Sequence, residues 1–206
     1  MKNFRNALAL VIVIIFGFGL FYIGTDGFRA YTSESARTFE LLQEKPKFPS
    51  VTLQDSEQRT YSLREFAEDK LVFITFMYTN CGTVCPRLEL NMAKVYESIP
   101  SNYIGKDIVF LSISFDTAND NPSTLAKYRT YFGSDGETWR MARVPNKNEL
   151  ELLLNRLGVI VIPDGYGNFQ HNSAFYLIGK DGHLQEVLDY TKIQDASEIV
   201  LSYIDQ

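Results

Sequence analysis

The chain has 206 residues, ordinary apolar and charged fractions, and a net charge of −5. That length suits one domain with a sizeable core and is too short for several large ones. The acidic balance argues against nucleic-acid binders, which carry a basic stripe, and the chain has no internal repeat or low-complexity tract.

Lys2 and Arg5 precede the uncharged run ALALVIVIIFGFGLFYIG (7–24), and Asp26 and Arg29 follow it. A helix of about 20 apolar residues spans a bilayer, whereas a secretory apolar region runs to about 7–15 and ends in a small-residue cleavage site. No Ala-x-Ala pattern follows the run, and no cysteine near its end offers a lipid attachment point. We read residues 1–29 as an uncleaved signal anchor, the rival being a cleaved signal peptide. Basic residues ahead of the span predict a cytoplasmic N-terminus with the remainder on the extracytoplasmic side. Disulfides persist there unless something reduces them. Residues 30–47 are polar and of mixed charge, a tether with some helical character ended by Pro46. The folded domain is expected over 48–206.

Two short strands are expected around the polar turn Asp55–Gln58, followed by Ser62 as a helix N-cap with Glu65 as its capping-box partner. KLVFITFMYT (70–79) and DIVFLSISFD (107–116) are apolar, β-branched runs of the kind buried on both faces of a sheet. Between them RLELNMAKVYESI (87–99) has helical spacing, with Leu88, Met92, Val95 and Ile99 on one face. Asn121, Pro122 and Gly133 bracket a further helix, and 146–158 reads as another ending at glycine. Residues 174–190 predict a hairpin turning on Lys180-Asp181-Gly182, and 195–205 a closing helix. Strands alternating with helices, then a hairpin and a last helix, suit an α/β, thioredoxin-like domain: a mixed central sheet with helices on both faces.

The two cysteines of the chain fall in YTNCGTVCPRLEL (78–90), after the first buried strand and at the mouth of a helix. Ligands of open α/β sheets bind beyond the carboxyl ends of strands. With a helix beginning near Cys81, the thiols of Cys81 and Cys85 face one side, about 5–6 Å apart at Cβ against the ~3.8 Å of a relaxed disulfide. A bond between them then distorts the first turn and is reducible. The same spacing lets two sulfurs reach one soft ion such as Cu(I), and a helix N-terminus favours the thiolate. Gly82 has no side chain to crowd an approaching partner. The plainer readings are a permanent staple and two inert buried thiols.

The chain has two histidines. His183 sits at a hairpin tip and reads as solvated. His171 precedes the buried strand AFYLI, and in a thioredoxin-like arrangement that loop lies beside the cysteine turn, making it the third candidate ligand. Two thiolates and an imidazole suit copper, and zinc accepts the same ligand types. Asp116 and Asp120 lie in the loop after the second buried strand: Asp116 is a candidate supporting group near the site, and Asp120 with Asn121 reads as the start of the following helix. Met77 reads as core.

Three blocks together resemble the Sco/SenC family of membrane-anchored, thioredoxin-fold copper proteins: FITFMYTNCGTVCPRLELNM, VFLSISFDTANDNPSTLAKY and FQHNSAFYLIGKDG. The similarity covers roughly 45–205. It implies that the family's metal-binding cysteines fall on Cys81 and Cys85, its histidine on His171 and its loop aspartate on Asp116. It also implies one copper ion, Cu(I) or Cu(II), per chain. The implied role is assembly of the copper centre of cytochrome c oxidase, by copper delivery, by reduction of the recipient's cysteines, or both, as a metallochaperone rather than a turnover enzyme. The implied partners are the copper-centre subunit or another exported cuproprotein, and a thiol reductant. The chain differs from the family pattern at Gly82, where proline is usual, in DTANDNP, where a proline and an arginine accompany the aspartate, and at Gln170, often aspartate. The alternative is an extracytoplasmic thiol–disulfide oxidoreductase with no copper role; a peroxidase-like thiol protein fits less well.

Overall fold

The computed structural model describes residues 2–25, 27 and 32–205. Asp26, Arg29 and residues 30 and 31 of the expected tether lie outside the described residues. The chain forms two units, Met1–Glu44 and Lys45–Gln206. In the first, α1 (Lys2–Gly24) and α2 (Ser33–Glu44) are helical. Within α1, Phe4–Gly24 is a 21-residue apolar stretch with no side chain buried. At 1.5 Å per residue it runs about 32 Å, long and apolar enough to cross a membrane.

The second unit is built on a seven-stranded sheet. Its strands are β1 (Thr52–Asp55), β2 (Thr60–Ser62), β3 (Leu71–Met77), β4 (Ile108–Ser114), β5 (Trp139–Arg143), β8 (Phe175–Ile178) and β9 (Leu184–Leu188), in the order β2-β1-β5-β4-β3-β8-β9. The central trio β3, β4 and β5 is parallel; β1 and β2 on one side and β8 and β9 on the other run antiparallel. A separate small hairpin joins β6 (Val161–Pro163) to β7 (Phe169–His171). The helices are α3 (Leu63–Ala67), α4 (Val84–Ser98), α5 (Pro122–Arg129), α6 (Lys147–Arg156) and α7 (Ile193–Ile204).

Every residue of β3 and β4 is buried, as their near-continuous apolar patterns require of strands covered on both faces. Phe73 of β3 meets Phe110 of β4 at 5.4 Å and Phe175 of β8 at 4.9 Å between ring centroids, linking these three neighbouring strands. Ser62 and Glu65 form the expected capping box on α3, and Asn121 caps α5 with Pro122 in its first turn.

Three features differ from the sequence reading. The helix after the cysteine loop begins at Val84 and not near Cys81, so Cys81 lies outside it in the loop. β5 was not expected, because Arg140 and Arg143 break its apolar pattern; the Arg140 guanidinium lies over the rings of Tyr61 (4.8 Å) and Phe66 (4.5 Å), covering apolar surface despite its charge. The stretch before β8 is not only a loop: it folds back as the β6–β7 hairpin, with His171 opposite Val161.

Candidate functional site

Strand β3 delivers the chain into the loop Tyr78–Thr83 at the carboxyl end of the sheet, and α4 carries it away. Both cysteines are free thiols and buried. Thr83, at the N-cap position of α4, makes no side-chain cap bond. The sulfur of Cys81 takes that place, accepting the Cys85 backbone N–H at 3.3 Å. A sulfur held on the free amides of a helix start carries negative charge readily. Burial raises the Cys81 thiol, but bonds from the Cys85 thiol and amide and from Thr83 outweigh it and bring the pKa below the ordinary value. Cys85 goes the other way: burial pushes its thiol well up, and the neighbouring Cys81 sulfur adds to the rise. Cys81 thus meets Cys85 from the loop and not as its i,i+4 neighbour within the helix.

His171 ends β7, and its Nε2 lies 3.5 Å from the Cys85 sulfur. Its Nδ1 faces the Asn172 carbonyl oxygen at 3.1 Å, which fixes the proton on Nδ1 and leaves the Nε2 lone pair toward the cysteines. Burial lowers its pKa, so the neutral ring is favoured. The ring stands edge-on to Phe115 at 5.0 Å, and Tyr78, Phe115 and Phe169 pack against one another around it. Among the described residues no three His, Cys, Asp or Glu side chains stand as a closed coordination set. Cys85 touches both Cys81 and His171, and the arrangement has still to close between the outer two. A Cβ added to Gly82 meets no atom within 4 Å, so the approach to the pair is open at that point.

Asp116 is buried, but its carboxylate is taken up by the Asn119 amide and side chain within its own loop, at 3.3 and 2.8 Å. The acid that reaches the cysteine loop is Asp120. One of its oxygens accepts the Thr79 amide at 2.9 Å, and the carboxylate also accepts the Thr79 and Ser114 hydroxyls, each at 2.5 Å. Asn121 alone caps α5.

A second residue escaped sequence reasoning. Glu89 lies one turn beyond Cys85 on α4 and is fully buried. Ser112 donates to its Oε2 at 2.9 Å, and Oε1 has no hydrogen-bond partner. Burial raises its pKa to about 8. Its presence within the apolar stripe Cys85, Leu88, Met92 was the readable signal. His183 lies at the opposite end of the sheet beside Asp181, at 3.1 Å, away from the cysteines, and Met77 is core as expected.

A family model described as SCO1/SenC matches residues 40–204. The chain belongs to the SCO1/SenC family. It is similar to the "SCO1 protein homolog" of Bacillus subtilis (strain 168), 27% identical over 146 residues, which are 70% of this chain and 73% of that protein. Among solved structures it resembles BsSco, described as a member of the Sco family of cytochrome c oxidase assembly proteins with a disulfide switch. The TM-score is 0.67 at 23% identity, covering 78% of this chain and 95% of that one. It also resembles Bradyrhizobium japonicum ScoI with copper bound, with a TM-score of 0.61 at 20% identity over 76% of this chain and 99% of that one. The second unit is therefore a Sco domain, a thioredoxin-like mixed sheet with helices on its faces, in a family of copper-binding proteins of cytochrome oxidase assembly.

Proposed function

We propose that this chain is a membrane-anchored metallochaperone that carries one copper ion on Cys81, Cys85 and His171. Its cargo is destined for the copper centre of cytochrome c oxidase or another exported cuproprotein. The observation that carries the reading is the place of Cys85, whose amide donates to the Cys81 sulfur at 3.3 Å and whose own sulfur lies 3.5 Å from the imidazole Nε2. Two sulfurs and a neutral imidazole form a soft donor set that favours copper over the hard divalent ions. Residues 1–29 act as the anchor, 30–47 as the tether and 48–206 as the working domain. Lys2 and Arg5 ahead of the apolar span support an extracytoplasmic position for that domain.

A second capacity follows from the opposite pKa shifts of the two thiols. Cys81 is the attacking sulfur and Cys85 the resolving one in reduction of a recipient's disulfide. The pair gives up two electrons and two protons and becomes a disulfide, while the recipient gains two thiols. A thiol reductant then restores the pair.

Anaerobic copper titration of the full chain in detergent micelles tests the copper reading. The reduced chain is expected to take up one equivalent, and the disulfide form and Cys85→Ala to lose tight binding. Equal stoichiometry and affinity in Cys85→Ala would refute it.

A further inference from the structure

The ladder between β3 and β4 runs out at Met77 and Ser114, and the cysteine loop beyond it has no regular structure to hold it. One buried side chain does so. Asp120 is 0% exposed, and its carboxylate gathers three donors: the Thr79 amide at 2.9 Å, the Thr79 hydroxyl at 2.5 Å and the Ser114 hydroxyl at 2.5 Å. Its own amide donates to the Asp116 carbonyl at 2.9 Å, and the next residue caps α5. The carboxylate is thus anchored on the end of β4 and the start of α5, and grips the residue two before Cys81 by both main chain and side chain.

The grip matters because α4 has no side-chain cap of its own. Its first turn is closed by the Cys81 sulfur, so the path from Thr79 to Cys81 sets where that sulfur stands relative to Cys85. We infer that Asp120 is a positioning residue for the Cys81–Cys85 pair, holding the loop through Thr79 so that the two sulfurs stay within reach of one another. The inference rests on the proposed function only in taking this pair as the reactive centre. With the clamp released, the loop gains freedom and the local concentration of one sulfur at the other falls. The disulfide form then loses ground to the dithiol. At metal sites, removing a partner that orients a ligand from behind costs about 10–100-fold in affinity or activity, and we take the lower end of that range for this pair.

The test equilibrates the full chain in detergent micelles with glutathione buffers, without copper. Two electrons and two protons pass from the Cys81–Cys85 dithiol to glutathione disulfide, giving the protein disulfide and two glutathione thiols, and mass spectrometry counts the forms. Thr79→Val removes the hydroxyl donor and keeps the amide, Asp120→Asn weakens the acceptor, and Thr79→Ser restores the hydroxyl. Val200→Ala, in the buried face of α7, supplies a loss of global stability without touching the loop. Urea unfolding followed by Trp139 fluorescence reads stability in each. Thr79→Val and Asp120→Asn are each expected to shift the exchange constant toward the dithiol by on the order of tenfold, with the double variant shifting it no further than the larger single. Thr79→Ser is expected to match the parent, and Val200→Ala to lower the urea midpoint with the constant unmoved. A constant within about twofold of the parent in both Thr79→Val and Asp120→Asn, or an equal shift in Val200→Ala, would overturn the inference. Because copper is absent from the assay, failure of the parent chain to bind copper sinks the metallochaperone reading and leaves this result standing.

Discussion

Replacing Glu89 by glutamine tests the electrostatics beneath the site. Burial raises the Glu89 carboxyl from 4.5 to about 8, against the pull of the Ser112 hydroxyl bonded to Oε2. Between those two values the folded chain holds a proton that the unfolded chain has released. Unfolding therefore sheds a proton, and stability falls as pH rises. This group's contribution is fully present below pH 4.5 and is lost as pH climbs through about 8. Well inside the window the slope is about 1.4 kcal/mol per pH unit, flattening near the folded pKa. Between pH 6 and 8 the change comes to about 2 kcal/mol. Glutamine has the shape of the protonated acid and does not titrate, so Glu89→Gln removes this component and leaves every other titration in place. Urea unfolding at pH 6, 7 and 8, followed through the single tryptophan, Trp139, measures both curves. The gap between variant and parent is expected to widen in the variant's favour by about 2 kcal/mol from pH 6 to 8. Parallel curves that differ by a constant amount would show that Glu89 does not carry a raised pKa, and the reasoning would fail.

Two other outcomes follow from the site's geometry. Iodoacetamide at neutral pH is expected to modify Cys81 well before Cys85, because the bonded Cys81 sulfur ionises below the ordinary thiol range and Cys85 far above it; peptide mapping that found equal rates would refute the asymmetry. His171→Ala is expected to weaken Cu(II) strongly and Cu(I) less, since nitrogen matters more to the harder ion, while His183→Ala changes neither. Unchanged Cu(II) affinity and sulfur-to-copper absorption in His171→Ala would remove the imidazole from the proposed set.

Much of the scaffold was legible because its signals are local. β3 and β4 are near-continuous apolar runs, and the caps at Ser62 and Asn121 need only their own next turn. The start of α4 was expected near Cys81 and lies three residues later, at Val84, because the Cys81 sulfur and not a side chain at Thr83 closes the first turn. In the first turn of a helix the missing N–H of Pro86 would have had no partner anyway, and α4 runs through it. β5 was hidden by Arg140, whose planar head covers the rings of Tyr61 and Phe66, and by Arg143, which bonds Gln54 and the Thr117 carbonyl. At the site, the cysteines and His171 were readable as residue types at suggestive places, and the structure brings His171 to Cys85. The roles of the acids were not readable. Asp116 and Asp120 lie four apart in one loop, and which of them meets Thr79 depends on how β4 and α5 are set against β3, which local pattern does not encode.

The two thiols are held in opposite condition, and the proposed capacities use that difference in different ways. For disulfide exchange it is an advantage: the more readily ionised Cys81 attacks, and Cys85, which holds its proton more tightly, waits until a mixed disulfide forms beside it. For copper it is an obstacle, because both sulfurs must shed their protons and Cys85 resists, buried and beside the Cys81 sulfur. A cation arriving between Cys81 and His171 supplies the missing compensation directly at that sulfur. Metal binding and Cys85 ionisation are then one event, and the apo chain keeps a resolving thiol in reserve. On the proposed reading the same pair would serve as a reductant when empty and as a carrier when loaded, with the proton on Cys85 separating the two states.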